Sequence, residues 1–250
     1  MTDVDDKWFA DEAFWIATYP FMFPEKRIAA ADSDVEQILA LGQRVSGNVL
    51  DLACGPGRHS VSLAQRGFTV TGVDRSPFLL GKARARAAEL NARVEWVHAD
   101  MRTFSRPAAF DLALSLFTSL GYFADDTDNQ RVLNNVAASL RPGGVFVLDM
   151  IGKETLARIF SPTTSREVPS GLVIHRHKVI DDWSRLENDW ILIEGESTRT
   201  FRFRHWIYSG REIERMLRDA GFADVRLYGN YLGIPYGSEA TRLVAVGRIG

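Results

Sequence analysis

Residues Val49–Ser60 read VLDLACGPGRHS. A short apolar run, Val49–Leu52, has the character of a strand and stops at Gly55-Pro56-Gly57. A helical pattern follows over Ser60–Arg66, with Gly67 as its stop. Glycines between a strand and a helix let a ligand approach the backbone closely. A dinucleotide pyrophosphate is one candidate, and it calls for Gly-x-Gly-x-x-Gly. Here the third position is Ser60, and Asp51 stands four residues before the first glycine. A carboxylate there repels a pyrophosphate and welcomes a cation or an amine. The turn therefore fits a ligand that carries positive charge near the glycines.

Outward from this turn the pattern repeats. Phe68–Val73 reads as a second strand that ends at Asp74, and Pro77–Asn91 as a helix rich in Ala, Leu, Arg and Lys. Val94–His98 is a third strand, followed by Asp100, and Leu112–Leu116 a fourth. Asn129–Leu140 is helical, Arg141–Gly144 breaks it, and Val145–Met150 is a fifth strand. Such alternation predicts an α/β protein with a doubly wound parallel sheet. Asp74 stands where an acid accepts hydrogen bonds from both ribose hydroxyls, and Arg75 follows it. Asp100 is placed for the exocyclic amine of an adenine, with Met101 against the ring. Three carboxylates at successive strand ends share one edge of the sheet, where open α/β sheets bind ligands.

The remainder is organised differently. From about 165 to 207 the pattern is an antiparallel insertion, read as three strands over Leu172–Ile207 with turns at Asp181–Ser184 and Glu194–Ser197. Ser209–Ala220 is a helix with Ser209 as N-cap and Gly221 as stop. Val225–Tyr228 and Leu243–Gly247 are the final strands. Residues 1–45 read as helices, crowded with Trp8, Phe9, Phe14, Trp15, Tyr19, Phe21 and Phe23.

The 250 residues suffice for one domain with a large core, and the net charge of −2 gives no general pull toward nucleic acid or anionic membrane. No run of about 20 apolar residues is present to span a bilayer. The opening MTDVDD is acidic and lacks the basic start of a secretory signal. A cytoplasmic location is the expectation. The one cysteine, Cys54, lies in the apolar run and reads as a small buried hydrophobe.

The segments VLDLACGPG, VTGVD, VHADM, FDLALSLFTSLGYF and LRPGGVFVLDM resemble, in order, the motifs of class I S-adenosylmethionine-dependent methyltransferases. The resemblance extends over about residues 48–250. It includes YSGREIERMLRDAGFADVRLYG, which in that family leads into a reversed last strand of a seven-stranded Rossmann-like sheet. The insertion looks like that of sugar-amine N-methyltransferases. The resemblance implies a methyltransferase domain over 46–250 and a lid over 1–45. It implies S-adenosylmethionine as cofactor and S-adenosylhomocysteine as product. Gly55 and Gly57 would sit against the methionine part, Asp74 on the ribose, Asp100 and Met101 on the adenine. Leu116 and Phe117 would line the cofactor, and Tyr19 or Arg27 would reach its carboxylate.

Methyl transfer is an in-line displacement in which alignment supplies much of the rate, so a dedicated base is not required. Tyr122 is the best-placed catalytic candidate, with His175 second; His177, His205 and Tyr236 are further possibilities. His175 and His177 on one strand face lack a third ligand at a convincing spacing, so no metal is expected. Ser115-Leu116-Phe117-Thr118 is not the Asn/Asp-Pro-Pro-aromatic motif of amino-DNA methyltransferases. A small-molecule acceptor methylated on nitrogen or oxygen, and a monomer or homodimer, are expected. A macromolecular acceptor and a cofactor-binding regulatory protein without turnover are the alternatives. The apolar side chains of the insertion need a cover, expected to be the acceptor-bound domain or a second subunit.

Overall fold

The computed structural model describes residues 7–250. The acidic opening, residues 1–6, lies outside the described residues.

The chain starts with a 3-10 turn, Trp8–Ala10, and three helices: α1 (Glu12–Met22), α2 (Glu25–Ala29) and α3 (Ala31–Gly42). Strands and helices then alternate as β1 (Asn48–Leu52), α4 (Arg58–Gln65), β2 (Thr69–Asp74), α5 (Pro77–Glu89), β3 (Val94–His98), β4 (Phe110–Ser115), α6 (Asp126–Ser139) and β5 (Leu140–Met150). After α7 (Lys153–Ile159) come β6 (Thr163–Val168), β7 (Gly171–Ile180), β8 (Arg185–Glu194) and β9 (Ser197–Trp206). The chain closes with α8 (Gly210–Asp219), β10 (Phe222–Tyr228) and β11 (Leu243–Ile249).

Seven strands form one sheet in the order β10-β11-β5-β4-β1-β2-β3. β11 runs antiparallel to both of its neighbours, while β1, β2, β3, β4 and β5 pair in parallel. The two faces follow from side-chain alternation along the strands. Val49, Leu112, Leu114, Val145 and Val147 pack with α3 and α4 through Val35, Ile38 and Leu63. Leu50, Leu52, Ala113, Phe146 and Leu148 pack on the other side with α6 and α8 through Val132, Leu133, Ile213 and Leu217. A sheet covered on both faces needs the near-continuous apolar strands this sequence has.

Two details differ from the sequence reading. Helix α6 ends at Ser139, and Arg141–Gly144 lies inside β5 instead of breaking the chain before it. Register slips there, from Phe110 opposite Leu140 to Leu112 opposite Val145, and Gly143 at φ +70° takes up the irregularity. The insertion has four strands, in the order β6-β7-β8-β9, not three. The extra one, β6 (TTSREV), is polar and largely exposed, so it carries no apolar alternation by which to recognise it.

The cover of the insertion is also resolved. Its inner face meets the N-terminal segment: Ala17 and Phe21 of α1 pack with Val173 and Leu192, and Trp8 and Phe14 pack with Phe203. Phe14 alone meets Trp8, Trp190, Phe201 and Phe203 at ring separations of 5.0–5.6 Å. The chain's own N-terminal segment thus covers this face of the insertion. Phe14→Ala should cost about 3–5 kcal/mol of stability, measured from denaturant midpoints. A loss under about 1 kcal/mol would mean that α1 and the sheet are not packed as one unit.

Candidate cofactor site

At the ends of β1 and β2 the backbone folds back on itself. Ala53, Gly55 and Gly57 all have left-handed φ values, +58°, +55° and +71°. A Cβ on Gly57 would stand 2.5 Å from the Trp96 ring and 2.8 Å from Ala83 Cβ, so only glycine fits. The Cys54 amide donates to the Val73 carbonyl (3.0 Å), extending the β1–β2 pairing into the turn. The Gly55 amide donates to Asp74 Oδ2 (2.7 Å), and the Ser76 amide donates to Asp74 Oδ1 (2.9 Å). Ser60, at the position where a dinucleotide turn has its third glycine, donates its hydroxyl to Asp51 Oδ2 (2.5 Å).

These residues line a cavity over the sheet edge. Its floor includes Asp51, Ala53, Cys54, Gly55, Asp74 and Arg75, and one side holds Ala99, Asp100 and Met101. Burial pushes the Asp51 carboxyl up. Burial, with Asp51 as a like-charged neighbour, raises Asp74 to about 6 against the hydrogen bonds it accepts. For Asp100 burial acts upward too, but hydrogen bonds from Arg102 and Arg75 outweigh it and hold the carboxyl low. Arg75 donates to Asp100 Oδ2 at 2.8 Å, and Arg102 engages both oxygens.

The opposite wall comes from the loop after β4. Phe117 and Thr118 both have left-handed φ, +59° and +62°, a conformation that costs a non-glycine residue energy. Asp149 compensates: its Oδ2 accepts from the Phe117 amide (2.9 Å) and its carbonyl from the Thr118 amide (2.9 Å). Asp149 is fully buried, and Arg242 pairs with both its oxygens at 2.6 and 2.8 Å. The Arg58 guanidinium lies 3.9 Å over the Phe117 ring, and Arg242 lies 5.2 Å from it. Phe9, Trp15, Met22, Phe23 and Arg27 close the cavity from the N-terminal side, with Tyr122 and Phe123 beyond Phe117.

Of the residues expected from the sequence, Arg27, Asp51, Gly55, Asp74, Arg75, Asp100, Met101, Leu116, Phe117 and Tyr122 line this one cavity. Gly57 supports the turn from behind. Tyr19 is elsewhere: α1 turns it toward α5, where it meets Phe78 edge-on and Lys82. His175 is also elsewhere, on β7 against Trp190 and Phe21, where burial lowers it to about 4. His177 and His205 lie on the same insertion sheet, and Tyr236 donates its hydroxyl to Glu154. Among the described residues no group of three His, Cys, Asp or Glu side chains is arranged to hold a metal ion.

Sequence reasoning missed Arg58, Arg242 and the lining role of Cys54. Arg58 stood beside the glycine turn and was legible by position. Arg242 precedes the last strand with no local pattern to mark it.

Comparison with known proteins agrees with this geometry. Residues 49–144 match the family described as a methyltransferase domain. Over those residues the chain carries a methyltransferase domain. It is 27% identical over 201 residues to the cypemycin N-terminal methyltransferase of a Streptomyces species, covering 79% of this chain and 81% of that one. It is 35% identical over 104 residues to the dTDP-3-amino-3,6-dideoxy-alpha-D-glucopyranose N,N-dimethyltransferase of Streptomyces fradiae, covering 42% of this chain and 39% of that one. In fold it is similar to the CcbJ methyltransferase of Streptomyces caelestis, with TM-score 0.79 and 21% identity over 98% of this chain and 99% of that one.

The expected cofactor is S-adenosylmethionine. The lining suits it: carboxylates for a sulfonium, an amine and ribose hydroxyls, and Met101 and Leu79 as apolar surface for a purine. The Asp74 carboxyl at about 6 makes binding pH-dependent. Below that value Asp74 is protonated and loses the charge that strengthens hydrogen bonds from hydroxyls. Calorimetry should therefore show S-adenosylmethionine affinity falling from pH 7.5 to pH 5, and Asp74→Asn should weaken binding about tenfold or more at pH 7.5 and flatten the profile. An unchanged profile in the folded variant would remove Asp74 from the site.

Proposed function

We propose that this methyltransferase passes its methyl group to a nitrogen or oxygen atom of a small molecule. The observation that carries this reading is the enclosure of the cavity. Aromatic side chains from the N-terminal segment and from the loop after β4 line the same cavity as the carboxylates. Such a chamber excludes water from the reacting centre and admits a compact acceptor. We read residues 8–29 as its lid, with Arg27 placed for the cofactor carboxylate. The N-methyltransferase relatives acting on a peptide N-terminus and on an amino sugar support nitrogen as the acceptor atom. The reading carries with it a cytoplasmic protein, a monomer or homodimer, that acts on neither nucleic acid nor membrane.

The cofactor supplies a methyl carbon already activated by the positive sulfur. Asp51, Asp74 and the glycine turn would hold and orient it. Tyr122 faces the same chamber, and among the described residues nothing hydrogen-bonds its hydroxyl. Burial and the charge of Asp74 push the Tyr122 phenol up, so at neutral pH it keeps its proton. It serves as a hydrogen-bond donor that fixes the acceptor, not as a base. A neutral amine brings its own lone pair and sheds its proton to water after transfer.

A panel of amines, phenols and carboxylic acids assayed for S-adenosylhomocysteine release tests this reading. Turnover should appear with small amines, and Tyr122→Phe should lower kcat about tenfold or more with little change in cofactor affinity. Binding of the cofactor with no turnover across the panel would favour the non-catalytic alternative.

A further inference from the structure

Helix α5 begins at the turn that carries Asp74, and the acid at its N-terminus comes from another part of the chain. Ser76 is its N-cap and Pro77-Phe78-Leu79-Leu80 its first turn, which holds no acid of its own. The Ser76 hydroxyl already accepts from the Leu79 amide (3.1 Å), so the Phe78 amide needs a different acceptor. That acceptor is Glu12, the first residue of α1. Its Oε2 accepts from the Phe78 amide at 2.9 Å and from the Ser76 hydroxyl at 3.0 Å. Ser76 is buried and Glu12 half-buried. A carboxylate at a helix N-terminus meets the positive end of the helix dipole. Had the acid come from α5 itself, it would serve that helix alone. Drawn from α1, it serves α5 only while α1 is in place.

The residues around Glu12 lead to the acids of the cofactor cavity. The Ser76 amide donates to Asp74 Oδ1 at 2.9 Å, so Glu12 is one residue removed from the Asp74 carboxylate. Phe9 and Trp15, on either side of Glu12 in the chain, both line the cavity. The Trp15 indole N–H donates to the Phe9 carbonyl (2.9 Å) and fastens the two together. The Phe9 ring lies 5.7 Å from the Arg75 guanidinium and 5.8 Å from that of Arg102, the two groups that hold Asp100. A second cleft, beside Glu12 and His98, shares Arg75, Ala99 and Asp100 with the cavity. The stretch Phe9–Trp15 thus bears on both Asp74 and Asp100.

We propose that Glu12 is a positioning residue for the cofactor. It catches the N-terminal segment on the turn between β2 and α5, so that seating of the segment and occupancy of the cavity favour each other, and cofactor release waits on the catch opening. This rests on the reading of residues 8–29 as the lid and of S-adenosylmethionine as the cofactor. Glu12 does not itself line the cofactor cavity, so its effect on the ligand passes through Ser76 and Phe9. Such coupling is reciprocal: whatever the seated segment adds to cofactor affinity, the bound cofactor adds to seating.

Both hydrogen bonds end on one oxygen, so the single carbonyl oxygen of a glutamine can accept both, while alanine accepts neither. Hydrogen exchange on the full chain tests the catch without ligand. Glu12→Ala should speed exchange along α1 as well as at the Phe78 amide, and Glu12→Gln, which also lacks the charge, should stay close to the wild type. Equal behaviour of the two variants, or α1 exchange unchanged by Glu12→Ala, would overturn the proposal. Stopped-flow displacement of S-adenosylhomocysteine tests the coupling. Release should be about tenfold faster from Glu12→Ala than from the wild type, with Glu12→Gln recovering most of the difference. By reciprocity, bound S-adenosylhomocysteine should slow exchange in α1 of the wild type, and do so less in Glu12→Ala. Equal release rates for folded Glu12→Ala and the wild type would mean that the acid only caps α5, and the coupling would be wrong. If the wild type binds no S-adenosylhomocysteine, the cofactor reading fails and the coupling with it, while exchange without ligand still decides the catch.

Discussion

The site depends on one contact: the Asp74 carboxylate that accepts the Gly55 amide at the end of β1. It ties the glycine turn to the neighbouring strand and leaves a raised, buried carboxylate facing the cavity. The turn itself takes three left-handed residues in close succession, which no ordinary sequence adopts unaided. Once Asp74 and the Cys54–Val73 pairing hold it, Asp51 and Ser60 fall into contact behind it. The departure from the dinucleotide pattern at Ser60 thus has a structural meaning: its hydroxyl satisfies a carboxylate that a pyrophosphate site would not contain.

A second constraint acts from the other wall. Phe117 and Thr118 keep their left-handed backbone because Asp149 binds both amides, and Arg242 neutralises Asp149 in a buried pair. Removing one partner of such a pair leaves an uncompensated charge, so the wall is committed to both. The N-terminal segment then links the two halves of the molecule. Its α1 helix packs on the insertion through Phe14 and Phe21, while Phe9, Trp15 and Met22 face the cavity. Cofactor chamber and insertion are therefore coupled through one short stretch of chain.

The sheet was legible from sequence because its strands are apolar runs bounded by glycine and aspartate, and the three strand-end acids reported the binding edge. Helix α8 was legible too, from Ser209 as N-cap and Gly221 as stop, and in the structure Glu212 completes a capping box with Ser209. Strand β6 was not, because an exposed polar strand has no period to read. Tyr19 and His175 went astray for a related reason: proximity in sequence to a site says nothing about the direction in which a helix or sheet turns a side chain. Arg242 was invisible because its role comes from pairing with Asp149, a partner far away in the chain.

The most direct test of the central claim is a crystal structure with S-adenosylhomocysteine at neutral pH. The account predicts ribose hydroxyls on the Asp74 carboxylate, the adenine between Met101 and Leu79, and the amino-acid end beside Gly55 and Arg27. Adenosine bound away from Asp74, or ligand density outside this cavity, would contradict it.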